Sequence, residues 1–136
     1  MSDTSILDRL RAANRTAAFN DMIGFEVTQA DEGRVELQLE WRDDFKQYAG
    51  FLHASLIAGM IDTACGFAAS TMSGGMVMAS HFSVNCLRPG AGERFIAQAE
   101  VVKPGRKQIF TRCELFAVQQ GARKLIATGE TLLVPV

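Results

Sequence analysis

Along the chain the apolar positions change period, from helical to alternating, to nearly continuous, and back to alternating. From about Thr4 to Phe19, the residues Ile6, Leu7, Leu10, Ala13 and Ala17 recur at helical spacing with polar residues between them. That pattern predicts an amphipathic N-terminal helix. After Gly24, Phe25 and Val27, and later Val35, Leu37, Leu39 and Trp41, alternate with polar residues. Alternation on both sides of Asp31-Glu32-Gly33 predicts a β-hairpin. Residues 42–51 read as a loop leading into an apolar run, Phe51 to Met72, rich in small side chains. Beyond Ser73-Gly74-Gly75 four β-rich runs follow, at 76–87, 93–103, 107–119 and 124–134, separated by Arg88-Pro89-Gly90, Pro104-Gly105 and Gln120-Gly121. Glycine and proline at these points are turn signals, and the four runs read as a meander.

A helix apolar almost all round must be buried all round. The simplest arrangement is a curved antiparallel sheet wrapped around one long central helix, an α+β fold with the N-terminal helix added. The run from Phe51 to Met72 is also long enough to cross a bilayer, for which roughly 20 residues are needed. It carries His53 near its start and Asp62 in its middle, and an acid at mid-membrane costs about 2.5–3.5 kcal/mol. A buried helix is therefore the expectation, with no membrane partner. No repeat or linker interrupts the chain, so residues 1–136 read as a single domain.

Composition narrows the function classes. The chain is 48% hydrophobic and 21% charged with a net charge of −1, which suits a globular domain and offers no basic face for nucleic acid. The three cysteines, Cys65, Cys86 and Cys113, form no CxxC and cannot all pair. With no signal-like apolar run in MSDTSILDRL, a reducing, cytoplasmic location is expected. The histidines and cysteines lack zinc-ligand spacing, so no metal is expected.

Asp62 is the anomaly. It sits among Met60, Ile61, Ala64, Cys65 and Phe67, where a bare carboxylate is costly to bury. The positions sharing its face, Ser55, Ala58, Gly59, Cys65, Gly66 and Ala69, are all small. Two readings fit: tight packing with Asp62 bonded to backbone groups, or a cleft in which an acid acquires a raised pKa and base character. His53 precedes Asp62 by nine positions, about 900° of helical rotation, so the two point to opposite sides. A Ser–His–Asp triad has no support, but such residues can meet across a two-fold axis between subunits. His53 either caps the helix or serves a site. The N–H groups of Ala54 and Ser55, at the positive end of the helix dipole, suit a carbonyl oxygen gaining negative charge. Cys65 has no assignable thiolate-stabilising partner and reads as a small core residue, and His81 as a bonded strand residue.

With these features in order, the sequence resembles the hotdog thioesterase superfamily, in particular its phenylacetate-degradation (PaaI-like) branch related to 4-hydroxybenzoyl-CoA thioesterases. The resemblance runs from about Asp21 onward. Its core is QYAGFLHAS, Gln47 to Ser55, then Asp62, then Leu87-Arg88-Pro89-Gly90. The family pattern is an Asn or Gln, a Gly, His-Gly-Gly, and an acid nine positions after the His. Here Ala54 and Ser55 stand in place of the two glycines, which keeps the N–H of residue 54 and puts close backbone approach at issue.

The resemblance implies a hotdog fold and hydrolysis of an acyl-CoA thioester, with coenzyme A as part of the substrate and no other cofactor. By position, Asp62 matches the carboxylate that attacks the thioester or activates water. Ala54 matches the residue whose N–H polarises the carbonyl, His53 one that holds that segment, and Gln47 a side-chain amide near the carbonyl or leaving thiolate. In such proteins the Asp and the helix N-terminus come from different subunits of a homodimer, or of a tetramer made from two dimers. A polar residue of the strand after the helix helps position water, and Ser80 or Ser83 is the candidate. Arg88, Lys103, Arg106 and Lys107 are the candidates for the phosphates of coenzyme A, the alternative being solvated charges on turns. The rival readings are a hotdog hydratase or dehydratase on acyl thioesters, and a non-catalytic acyl-CoA-binding module.

Overall fold

The computed structural model describes residues 5–136. Two short helices open the chain, α1 (Ile6–Thr16) and α2 (Ala18–Ile23), followed by the hairpin strands β1 (Glu26–Asp31) and β2 (Arg34–Glu40). A 3-10 turn at Asp43–Phe45 leads to the long helix α3 (Ala54–Ser73). The remaining strands are β3 (Val77–Cys86), β4 (Arg94–Lys103), β5 (Ile109–Gln119) and β6 (Ala122–Pro135).

The single N-terminal helix expected from periodicity is broken. Ala17 is extended, at φ −84° and ψ 109°, and Phe19 belongs to α2. Polar anchoring explains the break: the buried Asn14 donates from Nδ2 to Phe25 O at 2.7 Å, and Asn20 Nδ2 donates to Asn14 Oδ1 at 3.1 Å. The Arg11 guanidinium adds a bond to Val27 O at 2.9 Å, so α1 is tied to β1 by side chains as well as by Leu10. Thr4, the start expected for this helix, lies outside the described residues.

The six strands form one antiparallel sheet in the order β1-β2-β4-β5-β6-β3. The expected meander therefore holds only for β4, β5 and β6. β3 pairs with the last strand, and the chain then crosses to place β4 beside β2. Side-chain alternation assigns faces to each strand but not neighbours, and β3 is left as an edge.

The sheet wraps α3 as expected. Leu56, Ile57, Met60, Ile61, Ala64, Cys65, Ala68 and Ala69 are buried against inward residues such as Leu37, Leu39, Phe95, Leu115 and Ile126. By length and composition α3 is apolar enough to cross a membrane, but its buried side packs on the sheet. Gly129 of β6 makes the closest seat: a Cβ there would stand 2.6 Å from Ile61 Cγ2 and 2.9 Å from Ser83 O. Helix and sheet thus interlock one residue before Asp62.

Candidate active site

His53 ends the loop in an extended conformation, and α3 begins at the next residue. Its backbone N–H donates to Phe45 O at 3.0 Å. Its Nδ1 accepts from the N–H of Ser55 at 3.0 Å and lies 2.7 Å from Ser55 Oγ. His53 is therefore the cap of α3, satisfying one of the orphan donors of the first turn. The N–H of Ser55, expected to face a substrate, is taken by this cap. The N–H of Ala54 has no acceptor among the described residues. Among the described residues Gln120 is the one non-glycine at positive φ, so residue 54 sits where alanine serves as well as glycine.

The preceding turn is held by Gln47. Its N–H donates to Phe51 O at 2.7 Å, and its carbonyl accepts from Gly50 N–H at 2.9 Å. The side-chain oxygen accepts from the N–H groups of Ala49 and Phe51. With that oxygen committed to the turn, the carboxamide NH₂ is the part left to donate outward. Gln47, His53, Ala54 and Arg88 share one cleft of about 550 Å³. Arg88 is anchored by Nη1, which donates to Leu125 O at 2.7 Å, leaving the rest of its guanidinium fork free. Tyr48 and Leu87, which sequence reasoning did not single out, line the same cleft.

Asp62 lies elsewhere in the chain. It is half-buried, and burial raises its carboxyl above the ordinary aspartate value. No hydrogen bond reaches the carboxylate among the described residues, so the purely structural role, an acid bonded to backbone groups, finds no support. From Ala54 to Asp62 is eight residues of helix, about 12 Å along the axis. One turn beyond Asp62, Gly66 faces Leu133 of β6, with a Cβ position 3.8 Å from Leu133 Cδ2. Asp62 therefore looks along the β6–β3 side of the helix. Cys65 is wholly buried behind it, and the neighbouring Cys65 together with burial pushes the thiol of Cys113 well up. That is a core position, as the sequence suggested.

The two serines of β3 separate cleanly. Val84 packs towards the core opposite Gly129, whereas Ser83 pairs with the exposed Glu130. Alternation then puts Phe82 on the helix side and Ser83 with His81 and Asn85 on the outer side, while Ser80 falls in the β-bulge between Ala79 and His81, where alternation is interrupted. Ser80 also donates to Leu132 O at 3.4 Å. The outer face carries a polar trough of about 730 Å³ lined by Glu36, Gln98, Arg112 and Glu114 among others. None of the expected site residues lines it.

Of the four candidate cations, Arg88 alone lines the cleft. Lys103, Arg106 and Lys107 are exposed at the β4–β5 turn. That turn lies at the other end of α3: Val101 N–H donates to Gly33 O at 2.8 Å, and Gly33 adjoins Met72. A helix of 20 residues spans about 30 Å, so these three do not meet the cleft of their own chain.

Relatives can now be set beside this geometry. A family model described as the thioesterase superfamily matches residues 49–123. The chain is similar to a solved thioesterase family protein from Silicibacter pomeroyi, with 32% identity, a TM-score of 0.93, and coverage of 97% of this chain and 98% of that one. The PaaI protein of the E. coli phenylacetic acid degradation operon shares the fold at 21% identity and a TM-score of 0.79, over 96% of each chain. A thioesterase from Haemophilus influenzae does so at 20% identity and a TM-score of 0.81, over 96% of this chain and 90% of that one. Comparison with curated proteins gives no match.

Proposed function

The chain belongs to the thioesterase superfamily, with the hotdog fold, and from that premise we propose that it hydrolyses an acyl-CoA thioester to the free acid and coenzyme A. One observation carries this reading: α3 holds a half-buried, unbonded carboxylate and, about 12 Å away at its own start, an unbonded N–H. Each is the half of an acyl-transfer site that the other lacks.

The N–H of Ala54 and the positive end of α3 stabilise the negative charge that builds on the thioester oxygen. The Gln47 amide donates to the same oxygen or to the departing sulfur. Asp62 acts in one of two ways. As general base it takes a proton from water, the water oxygen adds to the carbonyl carbon, and the carbon–sulfur bond breaks to release the thiolate. As nucleophile its own oxygen adds to the carbonyl carbon and the carbon–sulfur bond breaks to release the thiolate, leaving an anhydride that water then cleaves to the free acid and the Asp62 carboxylate. Ser80, in the bulge of β3 and not on the outer face with Ser83, is the serine suited to hold that water. A reacting carbon must lie about 3–3.5 Å from its attacking atom, so one chain's Asp62 and Ala54 do not serve the same carbonyl. The site is completed by a second copy, in a homodimer or a pair of dimers. Edge strand β3 supports this: Met78 is 58% and Phe82 44% exposed, and an edge of that length offers unpaired backbone groups to another strand.

The test is release of free coenzyme A from phenylacetyl-, benzoyl-, short-chain and medium-chain acyl-CoA, by native protein and by Asp62→Asn. Turnover that the substitution abolishes in a normally assembled variant supports the reading. Full activity in the variant, or hydration of enoyl-CoA without hydrolysis, overturns it.

A further inference from the structure

The cleft at the start of α3 is larger than a thioester carbonyl requires, and its rim has a distinct chemistry. Tyr48 is wholly exposed, at 104%, and Leu87, from the end of β3, is 51% exposed. Two large apolar side chains from separate segments thus stand in water on the walls of one cleft. Arg88 lies beside Leu87 with most of its guanidinium free. Among the described lining residues there is no carboxylate, and the positive end of α3 opens into the same space. An aromatic face, an apolar wall and a guanidinium with no opposing acid are the complements of a purine base and its phosphates.

We propose that Tyr48 stacks on the adenine of the substrate's coenzyme A, with Leu87 on the other wall and Arg88 on a phosphate. The inference rests on the thioesterase reading and deepens it. It makes the enzyme selective for free coenzyme A thioesters over thioesters of a protein-bound phosphopantetheine, which carries no base. The Gln47 bonds that shape the turn hold Tyr48 in place without covering its ring, so binding costs little reorganisation.

Two measurements test it together. Adenosine 3′,5′-bisphosphate is titrated calorimetrically into native protein, Tyr48→Ala and Tyr48→Phe. In parallel, kcat and KM are measured for one acyl group carried on coenzyme A and on pantetheine. The bisphosphate should bind native protein and Tyr48→Phe alike, and Tyr48→Ala about tenfold more weakly, as loss of a stacking ring implies. In Tyr48→Ala the KM for acyl-CoA should rise by a similar factor at constant kcat, while KM for acyl-pantetheine stays unchanged. Native-like bisphosphate binding by Tyr48→Ala, or a KM that rises equally for both thioesters, overturns the proposal. So does a change of oligomeric mass in Tyr48→Ala, which would mark the ring as a subunit contact. If neither thioester is turned over, the thioesterase reading fails, and the titration alone still decides the stacking.

Discussion

At the scale of single residues, the site is built from groups left unsatisfied. Asp62 stood out in the sequence because its neighbours are apolar, and burial raises its carboxyl above 3.8. A raised carboxylate favours the protonated folded state. Its stabilising effect is complete below the unfolded value and is lost as pH rises through the higher folded value. At neutral pH the ionised group therefore burdens the fold, and Asp62→Asn should melt above native protein at pH 7 but alongside it near pH 3. Calorimetric melts at the two pH values decide, and an equal offset at both would refute the linkage. The rate profile should rise with an apparent pKa above the usual aspartate range. Ala54 invites a sharper substitution. It is the first residue of α3, where proline is well tolerated, and His53 already has the extended backbone that proline demands before it. Ala54→Pro should fold normally yet lose about a hundred- to thousand-fold in kcat by removing one N–H. Unimpaired turnover would dismiss Ala54 as the oxyanion donor. A capping role for His53 was one of the two readings the sequence left open, but that the cap takes Ser55 N–H was not legible, because it depends on the rotamer of one imidazole.

Among the elements, period alone placed α3, the hairpin and the last three strands to within a few residues. Each buries a face whose spacing is its own signature. Two things escaped it. The break after α1 carries neither glycine nor proline, and it arises from Asn14 and Asn20 bonding to each other and to the start of β1. An asparagine between apolar helical positions reads as a solvent-facing residue, whereas Asn14 is buried at 6% exposure. Asn14→Ala leaves Phe25 O without its partner and should cost about 1–3 kcal/mol in urea unfolding. A loss within error would show that α1 docks by Leu10 and its neighbours alone. The position of β3 was the other omission, since pairing with β6 closes a loop of nearly the whole second half of the chain. Alternation carries no information about such distant partners. Gly129 sits where β6, β3 and α3 meet, and Gly129→Ala should destabilise by about 1–3 kcal/mol through overpacking against Ile61, again read by urea unfolding.

For the whole molecule, the separation along α3 has a consequence that mixing can test. If each site takes Asp62 from one chain and Ala54 from its partner, then Asp62→Asn and Ala54→Pro damage complementary halves. Two inactive variants, unfolded together and refolded as a mixture, should regain about a quarter of native activity. Half the dimers are then mixed, and each has one intact site of two. No recovery, with mixed dimers shown by mass spectrometry, would place both groups in one chain's site. The separation of the two groups was partly legible beforehand, because residues 53 and 62 fall on opposite sides of a helix. The scattering of the candidate cations was not. Sequence proximity to a turn says nothing about which end of a 20-residue helix that turn occupies.

The bulge in β3 has a last implication. Val77 and Val84 both turn towards the core, yet they are an odd number of residues apart, so an unbroken strand would send them to opposite faces. The extra residue between Ala79 and His81 restores the phase. Ser80 is that residue. The serine proposed to hold a water beside α3 is thus also the one residue of β3 that stands outside its ladder with β6. Removing it would make Ala79 and His81 consecutive partners of Leu133 and Leu132, an ordinary ladder in which Val77 still faces inward with Val84. In evolutionary terms position 80 is an insertion that the pairing of β3 with β6 does not need, so whatever keeps it acts through the bulge and its side chain and not through the register of the sheet.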